Sequence, residues 1–521
     1  MARPLFFLVL LFLWTPVSTH RRSNEQGFTS VVLSNKGTDF AKGILIKKAV
    51  SSMIPLQLPD IEKSKKIPLL GKVNIVLSDI MINSVSIGSS SVETGDMGIV
   101  LVASGATADL TMNWMYSYKK WVVVLSDSGR ASVQHLLFYL EKNNPRRFFS
   151  SRNKEFDVTL MKVKDMEVGL TVTLKEEDGT LKLSLLNCGC NVKDISIKLD
   201  GGASWLYQAV VDAFERPIAS AVENAISKKI REGISKLDSR LHSLPKRFSI
   251  DHVSAMNVAF VDDPVLSNSS IEFDINGLFM ALDNVLIPNY YYGGIQADSS
   301  NCPAKMIEIS LHENVFNTAA AVYFNAGYMH WVVDRFPNQS FLNTATWRFI
   351  YPQLYKQYPN DDMTLNMSLT SPPVIKIVEN DIDATIYLDV TVNVLDANKV
   401  IPVACVSLVV RSSCFPHMLR NKLAGVLKLK DFTMSYKWSS IGDLHMHLLR
   451  PVAFAVLETI FIPYMNIRLM KGLSLPLLHG FTLRDTEIHC KASKMTICSN
   501  LAVTYGYLLN QQSHPLQLDV Q

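Results

Sequence analysis

The sequence predicts an α+β protein built twice over, each half a strongly curved antiparallel sheet wrapped around a long helix. Three observations predict it. Several segments alternate apolar and polar residues over unusual lengths for a strand. Apolar stripes at helical spacing flank them. The order helix, long strands, long helix then recurs at a period of roughly half the chain. A sheet with one apolar face must bury it, and each half supplies two apolar helices to bury it against.

The elements come in this order. Ser34-Asn35-Lys36-Gly37 precedes Ala41, Ile44, Leu45, Ala49 and Met53 at helical spacing, and Pro55 ends the run. From about Ile67 the pattern turns to alternation, with Leu110, Met112, Trp114 and Tyr116 on one strand face. Met166, Val168, Leu170, Val172 and Leu174 alternate, Glu176-Glu177-Asp178-Gly179 turns, and Leu181, Leu183 and Leu185 resume, which reads as a long hairpin. Val211, Phe214, Ile218, Val222, Ala225, Ile230, Ile234 and Leu237 form the stripe of a second long helix, which Pro217 should kink or break. In the second half, Leu311 to Val333 carries a mainly apolar helical segment. Met363 to Leu369 and Ile382 to Val392 alternate, and a final apolar helix runs from about Ile441 to Leu469, interrupted near Pro451 and Pro463.

A chain of 521 residues exceeds one ordinary domain, and 48% hydrophobic with 19% charged residues is a globular composition. A net charge of +4 is too mild for a general polyanion binder, so nucleic acid is not expected as a partner. Arg3, the apolar run Leu5 to Trp14 and small residues at Ser18 and Thr19 predict a secretory leader over 1–19, with the mature chain starting near His20. No later uninterrupted apolar run of spanning length is expected. Secretion gives meaning to the sequons at Asn268, Asn338 and Asn366, which become candidate glycan sites. It also permits disulfides among Cys188, Cys190, Cys302, Cys405, Cys414, Cys490 and Cys498, although an odd count leaves at least one thiol over.

Catalytic and metal motifs are missing. There is no G-x-S-x-G elbow, no H-E-x-x-H and no phosphate-binding G-x-x-x-x-G-K-[ST] loop. His312-Glu313 lacks a second histidine, Cys188-Gly-Cys190 has no second cluster at zinc spacing, and His445 and His447 would diverge on the helix expected there. The reading is therefore of a non-enzymatic protein with no metal or cofactor; a secreted lipase is the competing class. If a helix does not fill its curved sheet, an elongated apolar groove remains, where each buried acyl methylene contributes about 0.8 kcal/mol. A fully packed core without ligand is the other outcome of the same pattern.

Several motifs carry a family resemblance. Ser34 to Phe40 resembles the opening helix of the bactericidal/permeability-increasing and lipopolysaccharide-binding protein family, which includes lipid-transfer relatives. Pro55-Leu56-Gln57-Leu58-Pro59-Asp60 and Leu70-Gly71-Lys72 are similar to the family's segments after that helix, and Trp205-Leu206 to the start of its second long helix. Glu313-Asn314-Val315-Phe316-Asn317-Thr318-Ala319, with Tyr323, Ala326 and Gly327, is the most specific match. Lys471-Gly472-Leu473-Ser474-Leu475-Pro476 comes next in order, and Lys428 to Phe432 with its surroundings looks most like plant members.

The resemblance implies a two-domain boomerang joined by a central sheet. The expected division is an N-terminal domain over 20–245, a linker and central sheet over 246–285, and a C-terminal domain over 286–521. It implies an apolar pocket on the concave side of each domain, holding phospholipid in relatives; Ile44, Leu45, Val211, Phe214 and Ile218 are the candidate contacts. It also implies lipopolysaccharide recognition by a basic tip, for which Lys63, Lys65, Lys66, Lys72, Lys119 and Lys120 are the candidates. The expected activity is extracellular binding of lipopolysaccharide and related amphiphiles in innate defence, with contact at a membrane surface. Phospholipid transfer is the runner-up. Two departures stand out. Ser227 occupies the helical position where animal relatives have a disulfide partner, so the pairing of Cys188 and Cys190 is open. Residues 135–162 interrupt a strand that should run from Ala131-Ser132-Val133-Gln134 almost directly into Val163-Lys164-Asp165-Met166, and are expected to form a protruding loop.

Overall fold

A computed structural model of the chain describes residues 27–67, 71–120, 123–131, 161–197, 204–282, 302, 304–335, 339–397, 399–476 and 480–504. The expected leader, residues 135–160 of the expected insertion and the sequon at Asn338 lie outside them.

Strand β1 (Thr29–Ser34) leads into helix α1 (Asn35–Met53), whose first turn is capped by Ser34, its hydroxyl accepting from the Gly37 N–H. Strands β2 (Leu56–Gln57), β3 (Ile61–Ile67), β4 (Gly71–Ser86), β5 (Ser89–Gly95), β6 (Gly98–Lys120), β7 (Val123–Ala131), β8 (Met161–Glu177) and β9 (Thr180–Ile197) precede helix α2 (Ser204–His242). Short strands β10 (Arg247–Ser249), β11 (Ser254–Asn257), β12 (Val265–Leu266), β13 (Ser270–Ile275) and β14 (Phe279–Ala281) then lead to β15 (Ile307–His312) and α3 (Glu313–Asn325). The second half continues through β16 (His330–Val333), α4 (Pro352–Gln357), β17 (Asp362–Leu369), β18 (Val374–Val378), β19 (Asp381–Asp396), β20 (Lys399–Leu419) and β21 (Lys422–Ser439). Helices α5 (Met446–Val456) and α6 (Ile462–Leu469) come next, joined by a π-turn over Leu457–Phe461, before β22 (Leu473–Ser474), β23 (Phe481–Lys491) and β24 (Lys494–Val503).

Each half is organised around one large antiparallel sheet. The N-terminal sheet runs β2-β4-β6-β8-β9, with β3 beside β4 and both β5 and β7 beside β6; the C-terminal sheet runs β16-β17-β19-β20-β21-β22, with β18 beside β19. Register shifts interrupt the β4/β6, β6/β8, β8/β9, β19/β20 and β20/β21 ladders. Such bulges bend the strands that carry them, and both sheets curl. A six-stranded central sheet, β12-β13-β1-β15-β24-β23, joins the halves. It draws strands from both ends of the chain, not only from the expected linker, and Cys302 is disulfide-bonded to Cys498 of β24 beside it.

In each half a helix fills the curl. α2 buries Phe214, Ile218, Ala221, Val222 and Ile226 against sheet residues that include Ile75, Ile82, Leu110 and Met166. The α5–α6 unit buries Val456, Leu457, Phe461 and Ile462 against Ile386, Leu388, Leu408 and Val410. The helices also cover the edge strands, whose outward backbone groups would otherwise lack partners. Glu223 Oε1 accepts from the Val192 N–H and Asp238 Oδ1 from the Leu183 N–H, both at 2.8 Å, so α2 clamps β9. Asn466 accepts from the Leu427 N–H at 2.7 Å and donates to the Leu427 carbonyl at 3.1 Å, so α6 clamps β21. On the opposite edge, Trp331 of β16 stacks on Phe461 and Tyr464.

Four expectations need correction. α2 runs through Pro217 without the break the sequence allowed, because the tertiary packing of Phe214 and Ile218 on either side outweighs one missing N–H. The segment Leu311 to Val333 is not one helix. Leu311 belongs to β15, buried on both faces between β1 and β24, and the helix spans only Glu313–Asn325 before β16. The final helix starts at Met446, not Ile441, and its interruption is the π-turn that precedes Pro463. Met446–Leu469 is also long and apolar enough to cross a membrane, where no such run is expected from the sequence.

The register around the insertion is informative. Ala131 of β7 lies opposite Met112 of β6, and Met161 of β8 lies opposite Leu110. β7 and β8 thus occupy the same side of β6 end to end. Met161 sits where a residue two positions after Ala131 would sit in an unbroken strand, and with Lys162 it is already part of β8.

Candidate functional site

Three regions bear on binding. The first is the end of the N-terminal sheet where the β3–β4 and β6–β7 turns meet. β3 and β4 pair Lys63 with Ile75, Lys65 with Val73 and Lys66 with Lys72. β4 and β6 pair Val73 with Tyr118, which brings Lys119 to the level of Lys72, with Lys120 next. Antiparallel pairing therefore gathers on one sheet end the lysines that the sequence places in two separate segments. Directly paired residues share a face, so Lys63 and Lys65 lie on the face of buried Val73 and Ile75, whereas Lys66 and Lys72 lie on the other face. Lys63, Lys66 and Lys72 are exposed, and no carboxylate of a described residue pairs with them. Lys66 and Lys72 face each other directly, an arrangement of like charges that disfavours the bare sheet. The side chains of Lys119 and Lys120 lie outside the described residues.

Several other cations on the sheets have partners. Lys182 meets Glu177 at 2.8 Å and Lys193 meets Glu167. In the C-terminal half Lys430 meets Asp381 at 2.6 Å and Asp383 at 2.5 Å, Lys437 meets Asp389, and Arg411 meets Asp431 at 3.7 Å.

The second region is helix α1. Its start is pressed against the chain leading into β15; a Cβ at Gly37 would lie 2.3 Å from the Met306 carbonyl oxygen. Beyond that start no apolar side chain of α1 is buried: Ile44 is half-buried and Leu45 is 45% exposed. Phe214 and Ile218, named with them as acyl-chain contacts, are 1% and 0% exposed. The structure seats both in packed core against the sheet, without an open face, because the inward stripe of α2 is what fills the curl. The side chain of Val211 lies outside the described residues.

The third region is α5–α6. Only 22% of its most apolar stretch is buried, and Leu448, Phe454 and Ile467 are exposed.

The remaining candidates are soon placed. Asn268 is exposed in the turn between β12 and β13, and Asn366 is half-buried in β17, opposite exposed Val332. Burial pushes the Cys190 thiol up to about 12, helped by Glu223 and Cys188, and the Cys414 thiol up to about 11, helped by Cys490 and Asp381. At neutral pH these groups are protonated and behave as small apolar side chains. His445 and His447 have ring centroids 6.0 Å apart. Among the described residues no three His, Cys, Asp or Glu side chains gather to hold a metal ion. Asp251 accepts from Tyr323 Oη at 2.6 Å and from Ser254, a network between β11 and α3 whose hydrogen bonds hold its carboxyl below the usual range against desolvation.

Sequence reasoning missed the helix-to-edge clamps and the Cys302–Cys498 bond. Asn466 carried a signal, as a polar residue inside an apolar helix; Glu223 and Asp238 look like ordinary solvent-face carboxylates.

This architecture, two curled sheets each closed by a helix and joined by a shared central sheet, is matched by known families. The model for the N-terminal domain of the LBP / BPI / CETP family matches residues 37–237, and that for the C-terminal domain matches residues 248–503. The chain belongs to the LBP / BPI / CETP family. A BPI/LBP family protein of Arabidopsis thaliana is 48% identical over 501 residues, covering 96% of each chain. The bactericidal permeability-increasing protein of Sebastes schlegelii is 24% identical over 91% of this chain and 95% of its own. The human lipopolysaccharide-binding protein is 23% identical over 94% of this chain and 96% of its own. A crystal structure of lipopolysaccharide binding protein superposes with a TM-score of 0.59 at 18% identity, covering 92% of this chain and 99% of that one, which establishes the shared fold.

Proposed function

We propose that the protein is a secreted, non-enzymatic binder of lipopolysaccharide and related phosphorylated amphiphiles, acting in extracellular defence. The carrying observation is the convergence of Lys63, Lys65, Lys66, Lys72, Lys119 and Lys120 on one sheet end, with Lys66 opposed to Lys72 and with no carboxylate of a described residue paired to Lys63, Lys66 or Lys72. Phosphates relieve that repulsion and accept charge-assisted hydrogen bonds. Acyl chains are taken up along apolar helix surface that the fold leaves unburied, namely Ile44 and Leu45 on α1 and the exposed face of α5–α6. The names of the animal relatives agree with this reading. The domain division proposed is 20–245, 246–285 and 286–521, with glycans at Asn268, Asn338 and Asn366.

The test is binding of labelled lipopolysaccharide by the purified mature chain at low salt. Reversing Lys63, Lys66 and Lys72 to Glu together should weaken binding ten-fold or more and flatten its salt dependence. Absence of saturable binding, or binding indifferent to these changes, overturns the proposal. The unburied apolar surface in both halves favours a second reading, phospholipid transfer; movement of labelled phosphatidylcholine between vesicles without lipopolysaccharide would select it.

A further inference from the structure

The C-terminal half holds a cleft of about 420 Å³ between the middle of β21 and α5. One wall is the strand at Leu429 to Phe432. The other is a single helix face, since His447, Arg450, Pro451 and Phe454 fall at i, i+3, i+4 and i+7. No residue of α3 lines it, so it is distinct from any groove between the two helices of that half. Its origin lies in how the edge of β21 is closed. Asn466 clamps Leu427 to α6, and the π-turn separates that clamp from α5. β22 pairs with Lys422 and Leu423, so among the described residues no further strand covers the edge past the clamp.

The charges in the cleft differ in their commitments. Lys430 is held by Asp381 and Asp383, and Asp431 faces its cross-strand partner Arg411. Arg450 has no such partner: its guanidinium lies over the Phe432 ring at 5.1 Å from the centroid and makes no ion pair or hydrogen bond with a described residue. Stacking fixes the guanidinium by its face and leaves its N–H fork free to grip an oxyanion. Beside it, Phe454 is 51% exposed and lines the cleft. A cavity of this size is in the range that holds a small organic ligand.

We propose that this cleft binds a single-chain amphiphile with an oxyanion head group, carboxylate or phosphate monoester. Arg450 takes the head group, and Phe454, Phe432 and Leu429 take the chain. The site does not depend on the lysine tip of the N-terminal half.

Hydrogen exchange of the full mature chain, with dodecanoate or dodecyl phosphate below its aggregation concentration, tests it. Protection is expected at 427–434 and 446–456, with the stronger probe identifying the head group. Calorimetric affinity should fall ten-fold or more in Arg450→Gln and several-fold in Phe454→Ala, the latter altering only an exposed side chain. Lys66→Glu with Lys72→Glu should leave both readouts unchanged, which separates this site from the tip. The proposal is overturned if neither probe protects these segments, if both cleft variants bind like the parent, or if dodecyltrimethylammonium protects them equally.

Discussion

The two halves solve one closure problem with different chemistry. In the N-terminal half a continuous 39-residue helix lies along β9 and offers carboxylates, Glu223 and Asp238, to its free N–H groups. In the C-terminal half a helix interrupted by a π-turn offers one amide, Asn466, which satisfies both the N–H and the carbonyl of Leu427. The cations differ in the opposite sense. On the C-terminal sheet Lys430, Lys437 and Arg411 all face aspartates, whereas at the N-terminal tip Lys63, Lys66 and Lys72 face none among the described residues. Cross-strand charge serves the sheet itself at these C-terminal positions, as it does between β8 and β9, and is left available at the N-terminal tip.

The largest expected effects test whether the helices are equivalent keystones. Phe214→Ala and Phe461→Ala each remove a fully buried ring, at a cost of about 3–5 kcal/mol. Calorimetry should show each lowering the unfolding temperature; a substitution that leaves it unchanged would show that its helix is not the core of its half. The clamps come next. Asn466→Leu strands two backbone groups of Leu427 and should cost about 2 kcal/mol in denaturant unfolding, whereas Glu223→Gln keeps an acceptor for Val192 and should cost less than about 1 kcal/mol. Equal losses would erase the contrast between the closures. Charge reversal sharpens it further. Lys430→Glu should lower the unfolding temperature by about 2 °C or less and leave lipopolysaccharide binding intact, the converse of the tip variants.

The smallest effect lies in the sheet between the halves. Burial, reinforced by Glu272, raises Asp274 from its ordinary value of 3.8 to about 6. A folded carboxyl with a raised value holds its proton more tightly than the unfolded one, so its contribution favours folding below about pH 4 and is lost as pH rises to about 6. Asp274→Asn should remove that part of the slope from urea midpoints measured across the same window.

Much of this is legible in the sequence. The alternation from Ile382 to Val392 lies inside β19, and the turn at Asp178-Gly179 joins β8 to β9, with Gly179 at φ +74° where a side chain would be strained. Leu311 reads as helix because a strand buried on both faces loses the alternation that marks a strand. Phe214 and Ile218 read as ligand contacts because an apolar stripe reports burial without saying what does the burying. The Cys302–Cys498 bond spans 196 residues, and among seven cysteines no local spacing selects it. The lysines are visible as residues, but only strand register shows that two distant segments share one end of a sheet.

The junction of β7 and β8 has a practical consequence. Because Met161 stands at the second position past Ala131 along β6, the strand ends on either side of the intervening stretch lie on nearby rungs of one ladder, opposite Met112 and Leu110. Splicing Ser132 directly to Met161 should therefore restore a seamless strand, and a shortened chain lacking 133–160 should fold with an unfolding temperature equal to or above that of the parent. The same two rungs offer a ready port for grafting a reporter or affinity tag without disturbing either lobe.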